Sequence, residues 1–200
     1  MRHVARGQEP AVLRQYRTST GAPSWDAFRD KVLVLSVLLD AQRRLCCYCT
    51  GRLDSETSHV EHYLPQHGFE AKALEWSNLL AVCSGGRGRH CDASKADSVL
   101  LLLDPSDHPE RHLDFRTDGT LEGRSAQANA DIACLGLNDE ALIHRRRAVM
   151  DGVLEHLRRR SPTQTWTRIQ LERTLADLRS SDGPYVQWAI RLIERRLARA

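Results

Sequence analysis

Residues 46–95 read CCYC at 46–49, HVEHYLP at 59–65, WSNLL at 76–80 and CSGGRGRHCDASK at 83–95. These segments combine two pairs of cysteines, a glutamate next to a histidine, and a downstream asparagine. Thiolates, carboxylates and imidazoles are the common metal ligands of proteins, and an amide side chain can bond the backbone at several points. We therefore expect residues 46–95 to form a metal-holding centre around which the rest of the chain is arranged.

The cysteines predict a structural zinc site. A Cys-x-x-Cys knuckle lets two thiolates from one tight turn reach the same tetrahedral ion. A second pair lies downstream, but seven residues separate its members, so His90 is an alternative to the last cysteine as the fourth ligand. The other interpretation is a set of ordinary buried or free thiols, as we expect for Cys47. The predicted zinc ligands are Cys46, Cys49, Cys83 and Cys91.

Glu61 and His62 offer a metal-binding carboxylate and a general base on adjacent residues. Both are needed where a single divalent cation assists the attack of water on a phosphodiester. Neighbours on a strand point to opposite faces, so the two side chains diverge unless the backbone twists before Pro65. The alternative for His62 taken alone is a surface or core histidine.

Further polar residues surround this pair in the sequence. Asn78 is predicted to bond the hairpin backbone and so to fix the loop that carries the base, with a helix cap as the alternative. Asp92 can supply a second oxygen ligand to a Mg²⁺-type ion. Lys95, one helical turn later, is predicted to lie near a phosphate, and a solvated lysine is the alternative. His59, two residues before the glutamate, can contact the phosphate or the metal.

The motifs Cys-x-x-Cys, His-x-Glu-His-x-x-Pro, Trp-x-Asn-Leu and His-Cys-Asp-x-x-Lys together resemble the HNH, or ββα-metal, endonucleases. In particular they are similar to the PtuB group of nuclease subunits from Septu and retron-associated anti-phage systems. The similarity covers about residues 1–150. It differs from many HNH proteins in having Glu61 where Asp is usual, and Asp92 where Asn or His is usual.

The resemblance implies a role for each site residue. Glu61 and Asp92 bind catalytic Mg²⁺ or Mn²⁺, His62 is the general base, Asn78 is a positioning residue, and the four cysteines bind Zn²⁺. It further implies a DNA substrate and an ATPase partner of the ABC or AAA type, similar to PtuA. The chain has no Gly-x-x-x-x-Gly-Lys loop of its own, which agrees with nucleotide control by another subunit.

The predicted fold class is α+β, with a ββα-metal core and zinc knuckle flanked by helices. We expect an extended N-terminal arm at 1–23, the nuclease domain at 24–125 and a helical region at 126–200. A helix is predicted from Trp25 to Arg44 with Ser24 as its N-cap, because apolar residues recur there at helical spacing. Ser58 to Leu64 is predicted to be the second strand of a short hairpin after the knuckle, and Asp118-Gly119 the turn of another. The C-terminal helices are predicted at 126–135, at 139–159 with Asn138 as the N-cap, at 163–179 and at 184–199.

Composition and charge limit the remaining possibilities. The chain has no apolar run long enough to span a membrane and no signal-peptide core, so we expect a cytoplasmic protein in which clustered cysteines bind metal. Residues 145–200 carry thirteen arginines against six acids, whereas the whole chain has a net charge of only +3. This basic segment indicates contact with phosphates or with an acidic partner, or it is a solvated arginine-rich face.

Two other functions fit parts of this pattern. A non-catalytic zinc ribbon that holds DNA or a protein partner needs the cysteines, but it needs neither the Glu61-His62 pair nor Asp92. A nuclease toxin that acts alone needs the whole site but no ATPase.

Overall fold

The computed structural model describes residues 1–19, 21–161 and 166–199, without the side chains of residues 87 and 88. Helices and short antiparallel sheets alternate along the chain, which confirms the α+β class. The helices and strands are α1 (Ala11–Ser19), α2 (Lys31–Ala41), β1 (Ser58–His62), β2 (Leu79–Cys83), α3 (Gly85–Gly88), α4 (Asp92–Lys95), β3 (Leu113–Phe115), β4 (Leu121–Gly123), α5 (Ala126–Cys134), α6 (Glu140–Arg160), α7 (Arg168–Ser180) and α8 (Val186–Leu197).

The central sheet pairs β1 with β2 in antiparallel register, so that Glu61 lies opposite Leu80 and His62 opposite Leu79. The prediction that β1 closes a hairpin with the segment before it was wrong. That segment contributes only a single bridge between Leu45 and Arg52. The apolar run 79–82 is fully buried, and a strand buried on both faces is the better partner for β1. The preceding Trp76–Asn78 turn is a 3₁₀ helix that leads into β2 rather than into a helix.

The N-terminal residues are not an extended arm as predicted, because α1 forms directly after Pro10. Met1, Val4 and Leu13 are buried in the main core, and the Val4 amide donates to Pro105 at 2.8 Å. The chain therefore packs onto the domain from its first residues.

The helix predicted from Trp25 begins later, at Lys31. Ser24 does accept a hydrogen bond from the Ala27 amide, but it caps a single turn that ends before α2. Within that turn Trp25 packs against Phe28 with ring centroids 5.8 Å apart. The apolar periodicity reflected burial of these two rings and not a continuous helix.

The second half of the chain follows the prediction more closely. β3 and β4 pair around the Asp118-Gly119 turn, where Gly119 has a φ of +90°. The four predicted C-terminal helices correspond to α5–α8. α7 begins at Arg168 behind a Thr167 cap, and residues 162–165, where it was predicted to start, lie outside the described residues. The cap of α6 is Asp139 and not its neighbour, Asn138, which instead bonds the backbone of Leu121.

The core has two parts. The larger part joins the N-terminal segment, both sheets, the cysteines and α5, and the smaller part lies between α6, α7 and α8. Among the described residues, no helix combines the length and the apolarity that crossing a bilayer requires. The division at residues 23 and 125 stays a prediction.

Candidate metal centre and catalytic site

The four predicted zinc ligands converge on one point. The knuckle turn supplies Cys46 and Cys49, the end of β2 supplies Cys83, and Cys91 immediately precedes α4 with a φ of +61°. Their four sulfur atoms all lie within 4.8 Å of one another. Two of the sulfur pairs, Cys46–Cys91 and Cys49–Cys83, are 3.8 Å apart. A tetrahedron with Zn–S bonds of about 2.3 Å has edges of about 3.8 Å, so this donor set fits zinc.

His90 lies beside this cluster and not at one of its corners. Its Nδ1 is 3.2 Å from the sulfur of Cys91 and 3.9 Å from that of Cys83. Since four sulfurs already make the group, the structure favours Cys91 over His90 as the fourth ligand. Burial raises the pKa of the Cys91 thiol, so a thiolate there needs a compensating cation.

The predicted carboxylate ligands form a second group between β1 and the start of α4. Glu61 projects from β1 and is 5% exposed, and burial raises its pKa to about 8, with a further rise from a hydrogen bond to Asp92. Burial also acts to raise the pKa of Asp92, but hydrogen bonds from His59 and Glu61 outweigh it and lower that pKa to about 2. These opposite shifts correspond to one proton on Glu61 beside an ionised Asp92, and a divalent cation can take the place of that proton.

His59 and Lys95 occupy the edges of this carboxylate group. His59 Nε2 lies 2.6 Å from Asp92 Oδ2, and this hydrogen bond raises the histidine pKa. The Lys95 ammonium is 2.9 Å from Glu61 Oε1 and also donates to the His62 carbonyl at 3.2 Å. Because the Lys95 side chain is 1% exposed, the solvated-lysine alternative is wrong. A phosphate contact by Lys95 stays a prediction, and its observed position is that of a counter-charge to Glu61.

His62 points to the opposite face of β1 from Glu61, as strand alternation requires. Its Nε2 lies 3.0 Å from the Ala73 carbonyl, and its ring meets Trp25 edge-on at 4.9 Å between centroids. A carbonyl can only accept, so Nε2 carries the proton and Nδ1 the lone pair. Burial lowers the pKa of His62, which keeps the ring neutral. The structure brings four of the predicted site residues into contact, namely Glu61, Asp92, His59 and Lys95. His62 lies outside this group, and its side chain bonds the carbonyl of Ala73 instead.

Asn78 makes the backbone contacts expected of it. Its Oδ1 accepts from the Leu64 amide at 2.7 Å, and its Nδ2 donates to the carbonyls of Leu64 at 3.0 Å and Lys72 at 3.2 Å. These bonds fasten both ends of the loop between β1 and β2. Lys72 precedes Ala73, so the amide also holds the peptide next to the carbonyl that orients His62.

Two curated proteins match the chain. It is 28% identical over 154 residues, 74% of its length, to Septu protein PtuB of Bacillus thuringiensis. It is 35% identical over 100 residues, 43% of its length, to a retron Ec83 putative HNH endonuclease of Escherichia coli. The chain is similar to HNH-type, PtuB-related proteins. This confirms the resemblance that the motifs predicted.

The similarity has limits in length. The chain spans 56% of the PtuB relative and 38% of the retron relative. No protein-family model matches it. The roles of individual residues in this chain therefore rest on its own geometry.

That geometry contains one residue that sequence reasoning missed. The Tyr48 hydroxyl donates to Glu61 Oε1 at 2.9 Å, and its ring is completely buried. Burial, followed by the Glu61 charge, raises the Tyr48 pKa well above its usual value, so it remains a donor. The sequence did contain a signal for this contact. Tyr48 lies between the two cysteines of the knuckle, and the knuckle must reach the same centre as Glu61.

Proposed function

We propose that this chain is a metal-dependent HNH-type endonuclease that cleaves phosphodiester bonds in DNA. The observation that carries the proposal is the arrangement of β1, β2 and α4. In it Glu61 of β1 and Asp92 of α4 form a carboxylate pair, and His62, which follows Glu61 in sequence, is held neutral on the opposite face of β1, beside a four-cysteine cluster. A zinc ribbon that serves only as an adaptor has no need for a buried carboxylate such as Glu61.

Glu61 and Asp92 would hold the catalytic Mg²⁺ or Mn²⁺, which supplies positive charge to the scissile phosphate and the leaving oxygen. Their raised and lowered pKa values mark them as two carboxyls that compete for one positive partner. Lys95 limits the negative charge that Glu61 carries when it ionises. His59, which bonds the more exposed carboxylate, would turn from Asp92 towards the phosphate or the cation.

His62 would accept the proton of the attacking water at Nδ1. The hydrogen bond to Ala73 fixes the tautomer, and the lowered pKa keeps the base unprotonated at neutral pH. Asn78 holds the Lys72–Ala73 peptide in place, so it orients the base without touching the substrate. The cysteine cluster would hold Zn²⁺ in a structural role, because four protein ligands leave no position for water.

The direct test is incubation of the purified chain with supercoiled plasmid and with an RNA of similar length. Mg²⁺, Mn²⁺ or no divalent ion is added, and a further sample contains EDTA at a level that leaves bound zinc unchanged. We expect nicking of DNA that requires the added ion and is lost in Asp92→Ala protein. Retention of DNA without any cutting, in every condition and with the ATPase partner present, would favour the adaptor.

We further propose that the chain is the effector of an anti-phage system and works with an ABC- or AAA-type ATPase similar to PtuA. The names of the two relatives, a Septu protein and a retron endonuclease, support this role. Co-expression with an ATPase encoded beside its gene should give a complex that survives affinity purification and size-exclusion chromatography. Full nuclease activity and toxicity without any such partner would identify a stand-alone toxin instead.

A further inference from the structure

The basic end of α8 lines a cavity of about 640 Å³ together with residues of α6 and α7. Its floor is apolar and includes Met150, Leu171 and Leu192. Its rim carries three arginines of the C-terminal segment, which are Arg195, Arg196 and Arg199. A single acid, Asp151, stands against these three positive charges. The cavity is therefore strongly biased towards an anion.

The rim arginines differ from the other arginines nearby. Arg179 and Arg191 both pair with Glu194, and Arg168 pairs with Glu172. By contrast, neither the Arg195 nor the Arg199 guanidinium group makes an ion pair or hydrogen bond with any residue in the described part of the chain. Unpaired guanidinium groups that share one cavity repel each other. A bound anion would reduce this electrostatic repulsion, which no ion pair among the described residues offsets.

A planar surface accompanies this charge. The Arg196 guanidinium stacks over the Trp166 ring at 4.7 Å from its centroid. Arg196 Nε and Trp166 Nε1 are both shielded from solvent and lack a hydrogen-bond partner within the described residues. Guanidinium forks match phosphate oxygens, and stacked rings accept the face of a nucleobase. Phosphate together with a flat ring is the chemistry of a nucleotide.

We propose that this cavity is a nucleotide site that holds a strand of DNA away from the cleavage centre. The inference rests on the proposed nuclease function and names a second substrate-binding surface for it. It also gives a function to arginines of the basic segment 145–200, none of which belongs to the cleavage site. Arg195 extends the surface, since it lines two adjoining cavities next to β3 and β4 as well.

The test measures binding of a fluorescent single-stranded oligonucleotide by anisotropy, without added Mg²⁺ or Mn²⁺, so that no cleavage occurs. The variant is Arg195→Gln/Arg199→Gln. Its control is Arg158→Gln/Arg168→Gln, which removes the same charge from two exposed arginines that pair with acids on their own helices. Each lost phosphate contact on a single strand lowers the salt slope by about 0.7. Loss of two such contacts predicts roughly 25-fold weaker binding near 0.1 M salt, and a salt slope that is smaller by about 1.4.

Both variants should melt at the wild-type temperature, since both change surface residues. Equal affinities in the variant and the control would overturn the inference, and so would equal competition by polyglutamate of matched charge. If a deoxynucleoside monophosphate displaces the oligonucleotide as well as unlabelled oligonucleotide does, the site is a nucleotide site and its natural source is the free nucleotide. If the monophosphate and inorganic phosphate both compete only weakly, the natural ligand of the site is a DNA strand.

Failure of this inference can be told apart from failure of the nuclease proposal. Normal oligonucleotide binding by the double variant, with metal-dependent cleavage intact, rejects the second site alone. Weakened binding in a chain that never cuts DNA rejects the nuclease alone.

Discussion

The cysteine cluster and the carboxylate pair meet at the start of one short helix, α4, and they differ in how complete they are. The four sulfurs converge on one point without bonding outside the cluster except to neighbouring backbone and His90. The carboxyl groups of Glu61 and Asp92 are each occupied by protein partners, which are Tyr48, Lys95 and His59. Cys91 and Asp92 are adjacent in sequence, so the same turn of backbone sets both groups.

This difference is the one expected between a structural site and a reactive one. A closed and buried set of four sulfurs would fix the geometry of the surrounding segments, because a metal bound there would have no free position. A carboxylate pair that can exchange a proton for a cation would keep its charge adjustable, and Asp92 is partly exposed. We expect loss of a sulfur to unfold the domain, and loss of a carboxylate or of the base to remove activity from a folded protein.

The largest effect should come from Cys49→Ser. Structural zinc contributes on the order of 10 kcal/mol to folding of small domains, and here the ion would tie the knuckle to β2 and α4. We expect loss of zinc measured by elemental analysis, together with insolubility or a collapse of the melting temperature. Cys134→Ser is the matched control, since Cys134 lies on α5 outside the cluster and should leave the zinc content unchanged. Equal zinc content and melting temperature in the two variants would contradict the assignment.

Next in size is the effect of His62→Ala on catalysis. General-base catalysis is worth roughly 10² to 10⁴ in rate, so nicking of plasmid should become undetectable under conditions in which wild-type protein is active. His67→Ala is the control, because that histidine lies in the exposed part of the same loop. Circular dichroism should show that both variants are folded. Undiminished nicking by His62→Ala protein would reject the mechanism.

The sequence predicted the parts of the site that local spacing determines. The knuckle and the α4 helix with Asp92 follow from short-range turn and helix chemistry, as does the Asp118-Gly119 hairpin outside the site. The backbone bonds of Asn78 were predicted from residue type and position. By contrast, the pairing of β1 with β2 joins residues about twenty apart, and no local signal separates that partner from a nearer one.

Other features could not be predicted because they depend on packing. Lys95 is an amphipathic residue on a four-residue helix, and only the tertiary fold decides whether it meets water or Glu61. α1 is a short helix of nine residues whose stability comes from packing of Leu13 into the core. Short helices of this kind have little propensity of their own, which explains the incorrect expectation of an extended arm.

A smaller effect concerns pH and the carboxylate pair. Burial raises the pKa of Glu61 to about 8, against 4.5 in the unfolded chain. Between these values the folded state holds a proton that the unfolded state has lost. Its contribution to stability is complete below about pH 4.5, and it disappears as the pH rises towards 8. The slope from this one group is at most about 1.4 kcal/mol per pH unit.

The comparison protein for this prediction is Glu61→Gln. Urea unfolding between about pH 5 and 8, without added divalent ion, should show that the free energy of unfolding falls more steeply with pH in wild-type protein than in the variant. His59 and His62 titrate in both proteins, so the difference between the two profiles reports on Glu61 together with its coupling to His59 and Asp92. Added Mg²⁺ should flatten the wild-type profile, because the cation replaces the proton. If the free energy of unfolding depends on pH in the same way in the two proteins, Glu61 does not hold this proton in the folded state.

The smallest effect should come from Asn78, which belongs to neither metal group but connects to the base through the loop backbone. Asn78→Ala removes three hydrogen bonds and leaves partly buried backbone groups of Leu64 and Lys72 unpaired, which costs about 1–3 kcal/mol of stability. Asn78→Asp retains the acceptor for Leu64 but loses both donors. If the amide acts by holding the Lys72–Ala73 peptide, both variants should lower the turnover rate and leave the affinity for DNA unchanged. A rise in Kd for DNA with an unchanged turnover rate would show that Asn78 instead contacts the substrate.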